Sequence, residues 1–188
     1  MDTVQSQENI EISGEFHKRI SDTNRDFAHY WFEHTLWHWD FWLSLALAVL
    51  PWLLWIMFRR RESQARLLLA GFTMLIISSW LDFLGIIAGS WFYTGKLLPT
   101  IPSYVPWDFC LLPVTVMFVL QIKPRGLPWL KGIVFAVLTA FGGETLFQWL
   151  GFYVPLHWNQ LYSLPIYVAL YLICHRIANM STFDPLTG

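Results

Sequence analysis

Charge is what this chain has least of. Only 13% of its 188 residues are Asp, Glu, Lys or Arg, where a soluble domain carries about 25%. That shortfall excludes a water-soluble globule with an ordinary polar shell. Cysteine is scarce too, with only Cys110 and Cys174. Their spacing suits neither a metal knuckle nor a redox pair, and both fall in apolar runs, so they read as buried thiols. No cleavable signal peptide is expected, because Met1-Asp2-Thr3-Val4-Gln5 lacks the basic and apolar regions one needs. The first apolar run is therefore expected to direct insertion. A Gly-rich phosphate loop, a nucleophile elbow and a nucleic-acid surface are all missing. Nothing in the pattern calls for a cofactor.

Hydrophobic residues fill the space, at 55% of the chain. They gather into runs near 41–58, 67–89, 105–122, 129–150 and 162–177, the last being the shortest. Each is near the length a helix needs to cross hydrocarbon. The predicted fold is all-α: a polytopic membrane protein with a five-helix transmembrane domain over 37–178. Residues 16–36 alternate Phe16, Ile20, Phe27, Tyr30 and Trp31 with charged and polar residues. This predicts an amphipathic helix on the membrane surface, with Trp and Tyr at headgroup level. An unstructured acidic tail is expected before it, over 1–15, and a short C-terminal tail after the bundle, over 179–188.

The loops set the orientation. Arg59, Arg60, Arg61 and Arg66 join the first two runs, Lys123, Arg125 and Lys131 join the third and fourth, and Arg176 ends the fifth. All of these fall on one side, which the positive-inside rule makes cytoplasmic. The N-terminus is then outside and the C-terminus inside.

Two acids lie deep in the runs. At about 1.5 Å of rise per residue, Asp82 and Glu144 are each roughly 22 Å above the Arg-rich side. No Lys or Arg lies at that depth. An ionisable residue there is a candidate functional site, because burying its charge is unfavourable. At least one of the two is expected to be a neutral acid near pH 7. Asp108, nearer the outer end and just after a proline, reads first as a helix cap, and is the third candidate for the site if it is not one. Around Asp82, Ser78, Gly85 and Gly89 share a helix face, and Gly85 with Gly89 reads as a small-xxx-small contact for another helix. Around Glu144, Gly132, Ala136, Ala140 and Gln148 recur at a spacing of four. Both acids should therefore face inward. Trp91, Tyr93, Trp107, Trp158, Asn159, Tyr162, Gln148 and Tyr167 are the candidate substrate-binding residues around them. The expected site is one pocket opening to the outer leaflet, with an aromatic wall and a carboxyl floor. His34 and His38, four apart, are weak metal candidates, since two ligands do not make a site.

A possible internal repeat links the acids. Each is followed by a glycine and an aromatic run, Gly89-Ser90-Trp91-Phe92-Tyr93 and Gly151-Phe152-Tyr153, then a loop and a proline-bearing helix. Parallel transporter repeats share that layout.

An ordered set of motifs runs through the chain: Asp82-Phe83-Leu84-Gly85, Gly89 to Tyr93, Pro106-Trp107-Asp108, Pro113-Val114, Gln121, Gly143-Glu144, Gly151 to Tyr153, Trp158 and Tyr162 to Tyr167. In these the chain resembles a family of small five-helix integral membrane proteins from spore-forming, low-GC Gram-positive bacteria, with Thr145 where that family usually has Pro. The resemblance implies the fold and a multi-pass place in a bacterial cell membrane, and no activity. Asp82 with Gly89 to Tyr93 is also faintly similar to small membrane carotenoid cyclases, whose Pro-x-Glu-Glu is absent here.

Three function classes remain open. One is an enzyme that protonates a lipid-soluble substrate such as an isoprenoid, with Asp82 and Glu144 as acid and base in unassigned order. Another is proton-linked transport or lipid binding, for which a homodimer is expected. The third is an accessory membrane subunit whose acids only join helices. Membrane lipids are the expected partners throughout, and nucleic acid is not.

Overall fold

The computed structural model describes residues 4–99, 103–122 and 126–180. Lys123 and Arg125, Met1 to Thr3, and the tail beyond 180 lie outside the described residues. The described chain is all-α apart from one two-stranded sheet. Its helices are α1 (Gln7–His34), α2 (Trp39–Phe58), α3 (Gln64–Ile87), α4 (Pro106–Gln121), α5 (Pro128–Trp149) and α6 (Gln160–Ala178). The strands are β1 (Trp91–Tyr93) and β2 (Tyr153–Pro155).

Helices α2, α3, α5 and α6 are long and apolar enough to cross a membrane. In α2, mean hydropathy reaches 2.1, yet only 22% of that stretch is buried within the protein. A helix that is apolar all round and mostly exposed has no favourable place in water. The short member is α4, not the last helix as the run lengths suggested. Pro106 opens α4 one residue after Val105, and Ser103 and Tyr104 before it are not helical.

Helix α1 begins at Gln7, inside the segment expected to be an unstructured tail. Ser6 accepts a hydrogen bond from the Asn9 N–H at 3.3 Å, and Glu8 sits in the first turn, where a negative charge suits the helix dipole. Phe16 and Ile20 are exposed, and Trp31 is the buried residue of α1. The Trp31 indole donates to the Lys96 carbonyl at 2.6 Å. Trp37, at φ 66°, then turns the chain into α2.

The Arg-rich end is held together by contacts between its turns. The Gln121 side chain accepts from the Arg60 N–H and donates to the Phe58 carbonyl, and Arg66 donates to the Met180 carbonyl. Above it lies a dry core that includes Met74, Val116, Met117, Phe135, Ala136 and Tyr171. At the opposite, aromatic end a second cluster forms from Tyr93, Tyr104, Phe147, Phe152 and Tyr153.

The repeat is present in the backbone. Helix ends Ile87 and Trp149, glycines Gly89 and Gly151, and acids Asp82 and Glu144 are each separated by the same 62 residues. The terminal hydrogen bonds match pairwise. The Ser90 N–H donates to the Gly85 carbonyl at 2.9 Å, and the Phe152 N–H to the Phe147 carbonyl at 2.8 Å. Gly89 and Gly151 both take positive φ, 69° and 77°, the left-handed turn that ends a helix at little steric cost for glycine. The strands that follow pair antiparallel, Trp91 with Pro155 and Tyr93 with Tyr153, about a local two-fold at Phe92 and Val154. Spacing diverges only after the strands, in the loops to α4 and α6.

Candidate functional site

Asp82 sits on the inward face of α3, and β1 turns back over it. Its Oδ1 accepts from the Tyr93 hydroxyl at 2.7 Å and from the Trp91 indole N–H at 2.8 Å. The indole can reach because residue 85 is glycine: a Cβ there would fall on the Trp91 ring. Gly85 therefore seats a tryptophan and not a neighbouring helix, and Gly89 ends the helix. The small-xxx-small reading is corrected on both counts.

Glu144 occupies the matching place on α5. Its Oε1 accepts from the Tyr167 hydroxyl on α6 at 2.9 Å. Next to it, Gly143 lies under the Trp107 ring, where a Cβ would again collide. Residues Leu138–Glu144 form a wide π turn. A spacing of four drifts around an ordinary α-helix, and a wider turn offsets that drift. Gly132, Ala136, Ala140 and Glu144 are accordingly all buried.

Asp108 is not a helix cap, since its side chain makes no capping bond. It lies in a second π turn, Pro106–Leu111, only 1% exposed, with its carboxyl beside that of Asp82. Ionised carboxylates only accept hydrogen bonds, so facing carboxyls pair only when one carries a proton. Apart from the proton that the Asp82–Asp108 pair shares, Asp82 Oδ2, Asp108 Oδ2 and Glu144 Oε2 are buried without a hydrogen-bond partner from the protein.

These three acids line one cavity of about 350 Å³. Trp91, Tyr93, Trp107, Trp158 and Tyr167 line it as expected, and Tyr153, Phe147, Ser78 and Ser163 line it as well. Ser163 holds the Trp158 indole N–H at 2.9 Å. Burial first, then the nearby Asp82 and Asp108 charges, hold the Tyr93 phenol well above its ordinary pKa, so it stays a donor. Burial likewise raises Tyr153, with Glu144 and Asp82 adding to the effect. Leu81 and Leu84 line the cavity and are also exposed on the flank of α3. The cavity thus reaches the side of the bundle near α3.

No family model matches the chain, and no curated protein or solved structure matches it significantly. The site rests on its own geometry.

Three expected residues are not in the cavity. Asn159 caps α6, accepting from the Leu161 N–H at 2.9 Å. Tyr162 is exposed, with its ring edge-on to Trp158. Gln148 lies beyond the wide turn, in the last turn of α5, where the four-residue stripe has rotated off the lining. His34 and His38 are not one turn apart on a helix, because α1 ends at His34 and α2 starts at Trp39. Among the described residues no group of three or more His, Cys, Asp and Glu is placed to hold a metal. Sequence reading missed Tyr153 as a site residue. The 62-residue shift that carries Asp82 onto Glu144 also carries Trp91 onto Tyr153 and would have found it.

Proposed function

We propose that this is a multi-pass membrane protein, with five spans including the short α4, that performs acid–base chemistry on a lipid-soluble substrate in its aromatic-end cavity. The carrying observation is the cavity itself: three buried carboxyls, two of them paired, faced by Trp and Tyr, and floored by an apolar core. In the bilayer α1 lies on the outer surface, the N-terminus is outside, and the C-terminus is cytoplasmic. The location is a bacterial cell membrane, in line with the family resemblance.

A carboxylic acid in such a cavity can transfer its proton to an alkene carbon, as in an isoprenoid, leaving a carboxylate and a carbocation. Indole and phenol faces stabilise the cation. A carboxylate then takes a proton from an adjacent carbon, forming the new double bond. Proton count is restored when a proton returns between the carboxyls. Asp82 and Glu144 are the acid and base, and Asp108 is the proton partner of Asp82. The outcome is isomerisation or cyclisation without net redox change.

Transport or lipid binding is the second reading, supported by the two-fold repeat. Against it, the cavity floor is apolar: Met74, Val116, Met117 and Phe135 stand between the acids and the Arg-rich end. The deciding experiment incubates the reconstituted protein with polyprenyl alkenes in deuterated water. Deuterium should appear at carbon in recovered substrate or product, and Asp82→Asn and Glu144→Gln should abolish it. Uptake of proton or substrate into vesicles without carbon labelling would favour transport instead. Orientation is checked with Val4→Cys, which an impermeant maleimide should label from outside intact cells.

A further inference from the structure

We propose that the cavity selects a lipophilic organic cation, an alkyl chain ending in a single ammonium group, over neutral and phosphate-bearing amphiphiles. This rests on the reading of the cavity as a substrate site and names a ligand class for it, the ammonium standing where the carbocation of the alkene reaction would form.

Three observations converge. The first is unspent acceptor capacity: Asp82 Oδ2, Asp108 Oδ2 and Glu144 Oε2 come from three different helices, each is buried with no donor beyond the proton that the Asp82–Asp108 pair shares, and all three side chains line the same space. Among the described residues no Lys, Arg or His lines that space. Lys96 does not line that space: its ammonium lies 5.6 Å from the centre of the Phe27 ring, although its charge still reaches Asp82. A buried acceptor without a donor is unfavourable, and a ligand that supplies positive charge relieves it.

The second is the wall. Trp91 and Trp158 meet edge-to-face at 4.9 Å, and Trp107, Tyr93, Tyr153 and Tyr167 complete the lining. Aromatic faces combined with carboxylates are how proteins hold quaternary and tertiary ammonium groups. Two of these rings are fixed by glycines beneath them, so the cage is formed before any ligand arrives. A small inorganic cation fits less well, since the acids are not grouped for chelation and the wall offers ring faces rather than oxygen ligands.

The third is size and access. About 350 Å³ is at the small end of ligand pockets, enough for an ammonium head and a few carbons. A longer chain can leave past Leu81 and Leu84, whose exposed side chains continue the lining onto the apolar flank of α3. A phosphodiester would bring a negative charge towards three carboxyls with no lining cation to offset it.

The test is isothermal titration of the full chain in lipid nanodiscs with decyltrimethylammonium, with its uncharged carbon isostere, and with decylphosphocholine. One site should bind the ammonium at least tenfold more tightly than either other probe. Asp82→Asn and Glu144→Gln should each weaken the ammonium at least tenfold and leave the weak binding of the isostere unchanged. Leu84→Trp, at the rim and away from the acids, should weaken the ammonium and the isostere alike, which reports on the site even if an acid variant folds poorly. Equal binding of ammonium and isostere would overturn the cation preference while leaving the cavity a substrate site. Equal binding of phosphocholine would make it a lipid-headgroup site and overturn the class named here. Binding of none of the three would remove the substrate site as well.

Discussion

The two halves of the repeat, α3–β1–α4 and α5–β2–α6, end their first helices alike and hold their acids differently. Asp82 is gripped from its own half, by Trp91 and Tyr93 of β1. Shifting those donors by 62 residues gives Tyr153 and Pro155, neither of which is bonded to Glu144. Glu144 takes its donor instead from Tyr167, two residues after Pro165, in the place where the other half has Asp108 two residues after Pro106. One half thus carries a strongly anchored carboxyl with a second acid beside it. The other carries a carboxyl on a phenol. A shared backbone plan fixes where two acids sit, and the side chains around them set how each is held.

The largest effect expected is on chemistry. If both halves act in one reaction, Asp82→Asn and Glu144→Gln should each reduce solvent-deuterium incorporation by at least ~100-fold, and the double variant should be little worse, because residues that act as a unit are not additive. An unaffected rate in one single variant would reduce that half to scaffolding.

Next come the two glycine seats. Gly85→Ala and Gly143→Ala each put a Cβ into an indole ring. Overpacking of this kind destabilises by about 1–3 kcal/mol, readable by denaturant unfolding in mixed micelles. Gly85→Ala should also disturb Asp82, since the displaced Trp91 is its donor, whereas Gly143→Ala moves Trp107, which reaches Glu144 only at one remove, through the Tyr167 hydroxyl. A larger loss of deuterium incorporation in Gly85→Ala would confirm that asymmetry.

The donors themselves should differ by less. Tyr93→Phe leaves Asp82 its bond from Trp91, so a loss of about 1 kcal/mol is expected. Tyr167→Phe removes the phenol that Glu144 Oε1 accepts from, and about 1–3 kcal/mol is expected there. Equal losses in the same unfolding assay would show that the two carboxyls are held equally.

The last effect shows only in alkali. Tyr93 and Tyr153 are held above the ordinary phenol value, first by burial and then by nearby carboxylates. On unfolding they titrate near pH 10. Between that pH and their folded values the native state binds more protons than the unfolded state, so stability is fully present below about pH 10 and falls as pH rises beyond it. Each phenol adds a slope of up to about 1.4 kcal/mol per pH unit. Tyr93→Phe and Tyr153→Phe should each flatten the stability–pH curve by one such step.

Much of this was legible because apolar runs and acids inside them are strong signals. The helix positions, the inward face of Asp82 and Glu144 and most of the aromatic wall follow from periodicity and depth. Other features hid where contacts decide. Asp108 resembled a cap because it follows a proline, and only the π turn around it shows the carboxyl buried beside Asp82. Gly85 resembled a helix-packing glycine because spacing cannot show which ring arrives there. Asn159, Tyr162 and Gln148 have the right polarity at the right level, but capping, exposure and helix rotation take them out of the lining. The start of α1 was missed because a polar segment capped by Ser6 has no apolar stripe to announce it.

The paired strands β1 and β2 lie across the aromatic end, with Trp91, Tyr93 and Tyr153 hanging from them into the cavity. With that clasp above and Leu81 and Leu84 exposed at the side, the proposed membrane site would make arrival from the flank a search in two dimensions within one leaflet. The governing concentration is then the mole fraction of ligand per lipid, not its molarity in water. Diluting the bilayer with inert lipid should lower occupancy, while diluting the whole suspension should leave it unchanged.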